Sequence, residues 1–371
     1  MYRTKNYSKE VVVRLRVKNI EQKKYCNILS VGNTDRVDSD KFKIVSQYEF
    51  IKLLKPETQR SIVADPDFAI KDDAEFEQKI KEAADTWGEM VSVNRTFFNG
   101  DVTELAVIAA RKCLTYGVSN FGFDANTIDA IIGATNTGPG YPSLADFVKE
   151  GLNLRNDAMC FDVTEACVAG SVAVFQGWSL ITSGACRNVL VVASEKATTL
   201  TDLENWQGSN LFGDGAFAML LTSSNNQEDE SFDYFEFNSF PHDGNLKHIQ
   251  KTETGFVQVG KKVHIFVIRD VVNALQACIA ETGYKIDKIK HLIFHQPSNK
   301  TISSLLEKLS AMWPEFNGVI HRGDNMGNIS SASFGHLLST KFHSGAIKKG
   351  EPILSCTFGA GLSLGIMVFR M

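Results

Sequence analysis

Residues 160–184, CFDVTEACVAGSVAVFQGWSLITSG, are the part of the sequence that decides the fold. The run CFDVT has the pattern of a buried strand, and the nearly all-apolar run after it predicts a buried helix that ends at Gly184. A second strand-like run, NVLVVASE at residues 188–195, follows directly. Because buried strands alternate with helices here, we expect an α/β protein.

The same alternation extends to both sides of this stretch. Upstream, the amphipathic run ELAVIAARKCL (residues 104–114) predicts a helix, and TIDAIIGATN (residues 127–136) predicts a buried strand. Downstream, VIRDVVNALQACIAETGY (residues 267–284) and KIKHLIFHQP (residues 288–297) repeat that order of helix and strand. The chain therefore contains two similar helix–strand units.

The two units match residue by residue at one offset. Gly122, Ile128 and Ile132 each have an identical residue 161 positions later, and the same offset carries Cys167 onto Asn328. Further on, the offset becomes 164 between NVLVV and PILSC, which a short insertion in the last helix–strand loop would explain. Any two α/β units share such a pattern, but three anchors at one offset favour a duplication.

A polar run, SSNNQEDE at residues 223–230, predicts the connection between the two halves. We therefore expect an N-terminal half at residues 1–224, which holds the nucleophile, and a C-terminal half at residues 225–371. The first 81 residues are charge-rich, with a possible strand at Val11–Val17 and helical patches near Glu49 and Glu77. No chemistry can be assigned to them.

Composition disfavours several classes of protein. With 371 residues, 43% of them apolar, and a net charge of −4, the chain can bury a large core and is an unlikely partner for nucleic acid. No stretch approaches membrane-spanning length, and Arg14 and Arg16 interrupt the only apolar run near the N-terminus. Seven cysteines without paired spacing predict a reducing cytoplasm.

Cys167 is the candidate nucleophile because it lies between a predicted strand and the first turn of an apolar helix. Free backbone N–H groups and the helix dipole favour a thiolate there, and small neighbours let a substrate approach closely. Most cysteines in apolar surroundings are inert core residues, so the position of Cys167 does not by itself identify a nucleophile. The six other cysteines fit that structural interpretation.

Two polar residues of the second half are candidate partners. His295 follows the strand HLIF, so its imidazole would emerge at the carboxyl edge of the sheet, where α/β ligand sites gather. With His291 it has i, i+4 spacing, but the run is strand-like and lacks a third ligand, which disfavours zinc. Asn328, in GDNMGNISSAS, could donate its amide to an oxyanion or cap a helix.

Eight motifs stand in an order that resembles β-ketoacyl-acyl-carrier-protein synthase III and its relatives in the thiolase superfamily, from about Asn94 to the C-terminus. They are NRTFFNGDVTELAVIAARKCL, YPS, EACVAG, LFGDGAFAMLL, GKKVHIFV, HQPSNK, GNISSAS and FGAGLSLG. The resemblance implies a thiolase fold, with duplicated halves packed as αβαβα layers and usually assembled as a homodimer.

The resemblance also implies a mechanism. Cys167 would take an acyl group from a coenzyme A or acyl-carrier-protein thioester, with the acyl oxygen held by the backbone N–H groups of Cys167 and Ala360. His295 and Asn328 would then hold the thioester oxygen of a malonyl- or β-ketoacyl-thioester during a Claisen condensation. No bound cofactor and no metal are implied, and acyl thioesters and an acyl carrier protein are the implied partners.

Further positions follow from the motifs and from their departures. Tyr141 in YPS, Phe212 in LFGDGA and Lys300 in HQPSNK would contact substrate. HQPS replaces the family's HQAN and so puts Ser298 in place of an amide, while Lys300 replaces an arginine. Glu165, two residues before the nucleophile, is a possible base or substrate contact, or else a dimer-interface residue.

The remaining departures are Ala360 for a glycine and a divergent segment of roughly 90 residues at the start. Trp87 and Arg95 lie in the region of the family's coenzyme A-stacking pair, without a clear match. Such drift indicates specialised polyketide or fatty-acid-derived metabolism. The alternatives are acyl transfer to an alcohol or amine without condensation, a non-catalytic ketosynthase partner subunit and, more weakly, a cysteine hydrolase.

Overall fold

A computed structural model describes residues 24–371 except 36–39, 65–69, 202–209, 254 and 324. The strand predicted at Val11–Val17 lies outside the described residues. The helical patches predicted near Glu49 and Glu77 are confirmed, because helices occupy Gln47–Leu53 and Asp73–Met90.

The described elements alternate along most of the chain. The strands are β1 (Tyr25–Asn33), β2 (Phe42–Ser46), β3 (Asn94–Phe98), β4 (Ala130–Ala134), β5 (Met159–Val163), β6 (Asn188–Lys196), β7 (Asp214–Ser224), β8 (Phe232–Ser239), β9 (Ile249–Lys251), β10 (Phe256–Gln258), β11 (His291–Phe294), β12 (Val319–His321), β13 (Pro352–Gly359) and β14 (Ser363–Arg370). The helices are α1 (Gln47–Leu53), α2 (Pro56–Val63), α3 (Asp73–Met90), α4 (Val102–Phe121), α5 (Leu144–Gly151), α6 (Ala169–Thr182), α7 (Gly260–Phe266), α8 (Val272–Thr282), α9 (Asn299–Met312) and α10 (Ser333–His343).

Two five-stranded sheets have the same topology. The first has the order β1-β7-β6-β4-β5 and the second, read from its other edge, has the order β8-β14-β13-β11-β12. In each sheet the last three strands in that order are parallel, and the first two strands add antiparallel. The α/β architecture with a repeated unit is therefore confirmed. The boundary between residues 224 and 225 stays a prediction, which the separation of the two sheets along the chain supports.

The two sheets enclose a shared central layer of two helices. Apolar residues of α6 and α10, such as Val174 and Leu338, pack in one buried cluster with side chains from both sheets. The outer face of the first sheet is covered by α4 and α5, and that of the second by α7, α8 and α9. This arrangement gives the five αβαβα layers that the family resemblance implied, because each sheet buries both of its faces.

The register of the repeat differs from the prediction in one place. The 161-residue offset holds where α4 and α8 end at Gly122 and Gly283, both in the left-handed region, and again at β4 and β11. It is already 164 at the short 3-10 turns Ala166–Val168 and Ser330–Ala332, which precede α6 and α10.

The expected equivalence of Cys167 and Asn328 is therefore wrong, because extra residues lie in the longer connection between β12 and the second turn. The expected insertion in the last helix–strand loop is confirmed, since eight residues separate α10 from β13 whereas five separate α6 from β6. Cys167 corresponds to Ser331, whereas Asn328 belongs to the inserted connection. The shift was not detected in the sequence, because the three identical residue pairs that set the offset all lie before it.

The segment from β2 to β3 adds a small subdomain beside the second half. Strands β2 and β3 pair antiparallel, and α1, α2 and α3 pack through a separate apolar cluster. The start of α9 is hydrogen-bonded to the end of α3, because Asn299 donates its backbone N–H to Val91 O (2.7 Å) and its Nδ2 to Gly88 O (2.8 Å). The divergent N-terminal segment thus holds the helix that follows His295.

One continuous helix, Gly260–Thr282, is 23 residues long, with a mean hydropathy of 1.5 over its most apolar window. By length and composition it could cross a membrane, so the expectation that no stretch approaches that length is wrong. In this fold its Phe266, Val267, Val271 and Leu275 face the core of the second half.

Candidate active site

A cavity of about 260 Å³ lies where the two halves meet. Five of the residues singled out from the sequence line it: Cys167, Phe212, His295, Asn328 and Ala360. Most of its remaining wall is apolar and comes from Leu200, Ile249, Phe256, Val263, Phe266 and Phe358. An apolar chamber with a few polar groups on one wall suits a ligand that joins a hydrocarbon chain to a carbonyl.

Cys167 lies in the short turn between β5 and α6, at the position expected from the sequence. The preceding residue, Ala166, has a φ of 45°, which turns the chain sharply enough to present the sulfur to the cavity. Opposite lies Gly359, where an added Cβ would stand 3.0 Å from Cys167 Cβ and 3.4 Å from its sulfur. On this side, the space next to Cys167 is therefore bounded by backbone atoms and not by a side chain.

Burial, and to a smaller extent the nearby charge of Glu195, raises the pKa of the Cys167 thiol to about 12. The hydroxyl of Ser330, 3.7 Å from the sulfur, acts in the opposite direction. This balance differs from the thiolate expected at a helix start, because removal of the sulfur from water outweighs the turn's favourable groups. In the ligand-free protein Cys167 is a thiol.

His295 follows β11 and is held by the neighbouring strand. Its backbone N–H donates to Cys356 O (2.9 Å), and its ring meets Phe358 edge to face, with the ring centroids 5.4 Å apart. The side chain is 2% exposed, and burial lowers its pKa to about 3. The imidazole is therefore neutral and acts as a hydrogen-bond donor or acceptor, not as a cation.

Asn328 is fixed on three sides. Its backbone N–H donates to Leu211 O (2.7 Å), its carbonyl accepts from Gly213 N (3.1 Å), and its Oδ1 accepts from the N–H of Ser330 (2.8 Å). Because Oδ1 is occupied, the amide nitrogen Nδ2 is the group left to meet a substrate oxygen. Phe212 lies between the two backbone contacts and packs edge-on against Phe256.

The structure adds polar residues that sequence reasoning missed. Glu195, at the end of β6, is fully buried and accepts hydrogen bonds from Asn136 Nδ2 (2.7 Å), Thr137 Oγ1 (2.7 Å) and Ser331 Oγ (2.5 Å). Burial raises its pKa. Their positions could have identified these residues. Asn136 follows β4 and Glu195 lies near the end of β6, both at the carboxyl edge of parallel strands, where ligand sites gather.

Asn136 connects this carboxylate to the nucleophile. Its Nδ2 also lies 2.9 Å from Ala166 O, directly before Cys167, and 3.1 Å from Ser330 Oγ. The serine hydroxyl can accept from this amide and still direct its own proton to the sulfur. One amide thus touches the turns of both halves.

Four predicted site residues do not line the cavity. Glu165 is exposed on the turn before Cys167, and Tyr141 is 95% exposed in the loop before α5. Ser298 caps α9 by accepting from Thr301 N (3.3 Å), and Lys300 is exposed on the first turn of that helix. Their roles stay predictions.

The suggested stacking pair is not at the surface. Arg95 is fully buried, with its guanidinium 4.3 Å from the centre of the Phe50 ring, and burial lowers its pKa to about 9. Trp87 is half-buried in the apolar cluster of α1 to α3. Buried in this way, Arg95 cannot reach a ligand from outside.

Within the described part of the chain, no group of three or more His, Cys, Asp or Glu side chains is arranged to hold a metal. His291 instead contacts His321 (Nδ1 to Nε2, 3.0 Å) and Glu351 (Nε2 to Oε2, 2.8 Å). It lies at the far end of β11 from His295, since three residues of extended chain lie between the two.

The chain matches two parts of one family. Residues 161–239 match 3-oxoacyl-[acyl-carrier-protein] synthase III, and residues 279–371 match the C-terminal region of the same family. Among curated relatives, β-ketoacyl-[acyl-carrier-protein] synthase III of Clostridium perfringens is 29% identical over 312 residues, covering 79% of this chain and 93% of the relative. The enzyme of that name from Staphylococcus haemolyticus is 28% identical, with 81% and 94% covered.

Solved structures show the same fold. The priming β-ketosynthase of the R1128 polyketide pathway superposes with a TM-score of 0.76 at 24% identity, covering 95% of this chain and 98% of that one. Synthase III from Aquifex aeolicus gives a TM-score of 0.75 at 22% identity, with 93% and 100% covered. The two family matches, the curated relatives and the shared fold together support a condensing enzyme, and hence a transferase, that is similar to β-ketoacyl-[acyl-carrier-protein] synthase III.

Proposed function

We propose that this chain is a ketosynthase of the synthase III type that forms a carbon–carbon bond by Claisen condensation, with Cys167, His295 and Asn328 as its catalytic residues. The observation that carries the proposal is that a cysteine of one half and a neutral imidazole and an amide of the other line a single apolar cavity. The relatives named for this reaction support the same chemistry.

In the first step, Cys167 attacks the carbonyl of an acyl thioester. A bond forms between its sulfur and the acyl carbon, and the thiol of coenzyme A or of an acyl carrier protein leaves with the proton. The backbone N–H groups of Cys167 and Ala360 are the proposed oxyanion hole, supported by the position of both residues on the cavity wall. The apolar wall around them would hold the acyl chain.

In the second step, a malonyl-thioester loses carbon dioxide, or a β-ketoacyl-thioester loses a proton, and the resulting enolate attacks the acyl-cysteine. Its thioester oxygen would accept hydrogen bonds from His295 and from Asn328 Nδ2, and the sulfur of Cys167 is released. Two neutral donors suffice because the negative charge is transient and shielded from water. The low pKa of His295 supports the neutral form that this role needs.

The assembly and setting are parts of the same proposal. We propose a homodimer, because β5 is an edge strand of the first sheet and Tyr141, a predicted gate residue, is 95% exposed in a nearby loop. We propose a cytoplasmic enzyme of specialised metabolism, supported by seven free cysteines and by the divergent N-terminal segment. The exposure of Glu165 favours a contact outside the cavity over a catalytic role.

Intact-protein mass spectrometry with a panel of acyl thioesters tests the roles of the residues. Cys167→Ala should lose the acyl adduct, whereas His295→Ala should keep it and turn over about 10²- to 10³-fold more slowly. Cys160→Ala is the matched control, since this half-buried cysteine lies on β5 outside the cavity. Loss of the adduct in both active-site variants would refute the separation of roles, and products without a new carbon–carbon bond would indicate acyl transfer.

A further inference from the structure

The imidazole of His295 has a buried ring nitrogen without a hydrogen-bond partner in the described part of the chain. Nδ1 is buried and meets no hydrogen-bonding group among the residues that the structure describes. A buried polar atom normally has a partner, because leaving it unpaired costs the free energy of its lost hydration. Since Nδ1 is enclosed and His295 lines the cavity, Nε2 is the nitrogen left to meet a substrate.

Asn328, on the same wall, shows how such a side chain can be fixed. Its Oδ1 accepts the backbone N–H of the residue two positions later, Ser330, at 2.8 Å. The residue two positions after His295 is Pro297, and proline has no backbone N–H. The local bond that orients Asn328 is therefore chemically impossible at His295.

The neighbours of Pro297 are committed elsewhere. Gln296 donates its Nε2 to Phe294 O (2.8 Å) and accepts from Gly323 N (3.1 Å). Ser298 directs its hydroxyl to Thr301 Oγ1 (3.0 Å), and both amide groups of Asn299 bind the end of α3. None of these groups donates a hydrogen bond to Nδ1 of His295 in place of the N–H that Pro297 lacks.

We infer that Pro297 is a specificity-determining residue. Because it cannot donate a hydrogen bond to Nδ1 of His295, the second substrate selects which ring nitrogen carries the proton. In the tautomer with a proton on Nε2, the ring donates to the thioester oxygen of a malonyl-type substrate. In the tautomer with a proton on Nδ1, the bare Nε2 accepts the enol proton of a β-ketoacyl-thioester. Nδ1 is unpartnered in both forms, so the protein favours neither.

The second mode balances as a condensation without decarboxylation, and it rests on the proposed function of Cys167. The enol O–H proton passes to Nε2 while the α-carbon bonds to the acyl carbon and the acyl C–S bond breaks. The sulfur leaves as a thiolate and takes the proton from the imidazolium, which regenerates neutral His295 and the Cys167 thiol. Burial, which disfavours the imidazolium, makes this return of the proton favourable.

Pro297→Ala supplies the missing N–H and tests the inference. A hydrogen bond to Nδ1 should favour the Nε2–H tautomer by about tenfold, so the ratio of turnover with malonyl- to turnover with β-ketoacyl-thioester should rise by about that factor. The ¹⁵N chemical shifts of His295 should move towards the Nε2–H form. The rate of acyl adduct formation should not change, because that step does not use His295.

Pro297→Gly repeats the test with a second N–H donor, and Pro314→Ala, at an exposed proline after α9, is the control. An unchanged substrate ratio together with unchanged ¹⁵N shifts overturns the inference, as does a parallel loss with both substrates. Absence of an adduct on Cys167 in the unmodified protein refutes the proposed function instead. The ¹⁵N measurement still decides the tautomer in that case.

Discussion

The turns Ala166–Val168 and Ser330–Ala332 occupy equivalent places in the two halves but place different side chains in different surroundings. Each opens with a residue at positive φ, 45° at Ala166 and 44° at Ser330, and each leads into a helix of the central layer. In the first turn the second residue is Cys167, which faces the cavity. In the second turn it is Ser331, which is fully buried and donates to Glu195.

This difference shows that the backbone feature was duplicated, while the chemistry was assigned to one copy only. The second turn supports the first: Ser330 contacts the sulfur of Cys167, and the carbonyl of Ser331 lies directly against Gly170 at the start of α6. The donor amide of the second half comes from Asn328, in the connection before its turn. Two variants at the contact between the turns and one at the carboxylate behind it test this division.

Gly170→Ala should have the largest effect. A Cβ at this position would stand 2.2 Å from Ser331 O, so the two turns must move apart. Overpacking against backbone should lower the free energy of unfolding by about 3 kcal/mol and slow acyl adduct formation on Cys167. Denaturant titration measures the first effect and mass spectrometry the second. Gly260→Ala, at a glycine with open space around it, should change neither; an unperturbed Gly170→Ala would mean that the turns are not in contact.

Ser330→Ala should have a smaller effect that is confined to the thiol. Loss of the hydroxyl removes a group that lowers the pKa of Cys167, so the pKa rises and the thiolate fraction at pH 8 falls about fivefold. The rate of Cys167 alkylation by iodoacetamide, followed on its peptide, measures this fraction. Ser339→Ala, which removes another buried hydroxyl from α10, is the control. An unchanged rate would show that Ser330 does not support the sulfur.

Glu195→Gln should have the smallest effect, and its sign is opposite. The charge of Glu195 raises the pKa of Cys167, so a neutral amide should lower that pKa and speed alkylation about twofold. Glu236→Gln, at a buried glutamate of β8 in the second half, is the matched control. Slower alkylation than in the unmodified protein would mean that Glu195 acts mainly by orienting Asn136 and the two turns.

The sequence was sufficient to predict the fold class, because the period and length of a long apolar run indicate whether it forms a helix or a strand. The predicted helix at residues 104–114 lies within α4, and the strand HLIF is β11. Cys167, His295 and Asn328 share a cavity, as the motif order implied, because each follows the carboxyl end of a parallel strand, Cys167 in the first sheet and the other two in the second.

What the sequence could not provide depends on long-range contacts. Glu195 resembled any polar residue at a strand end, since its partners Asn136 and Ser331 lie far away in the chain. Arg95 lies in the region of the family's coenzyme A-stacking pair, and its burial under Phe50 could not be predicted from the sequence. The shift in the repeat was invisible because its insertion lies in a connection without periodicity.

The two backbone carbonyls at the end of α3 that bind Asn299 tie two departures from the family together. The divergent opening segment contacts the HQPSNK loop through these carbonyls. A change in either segment would therefore leave the two donors of Asn299, or the carbonyls that accept from them, without a hydrogen-bond partner. A chimaera that took its first 98 residues from another synthase would need carbonyl acceptors at the same two points. The opening segment and the loop after His295 therefore form a single structural unit.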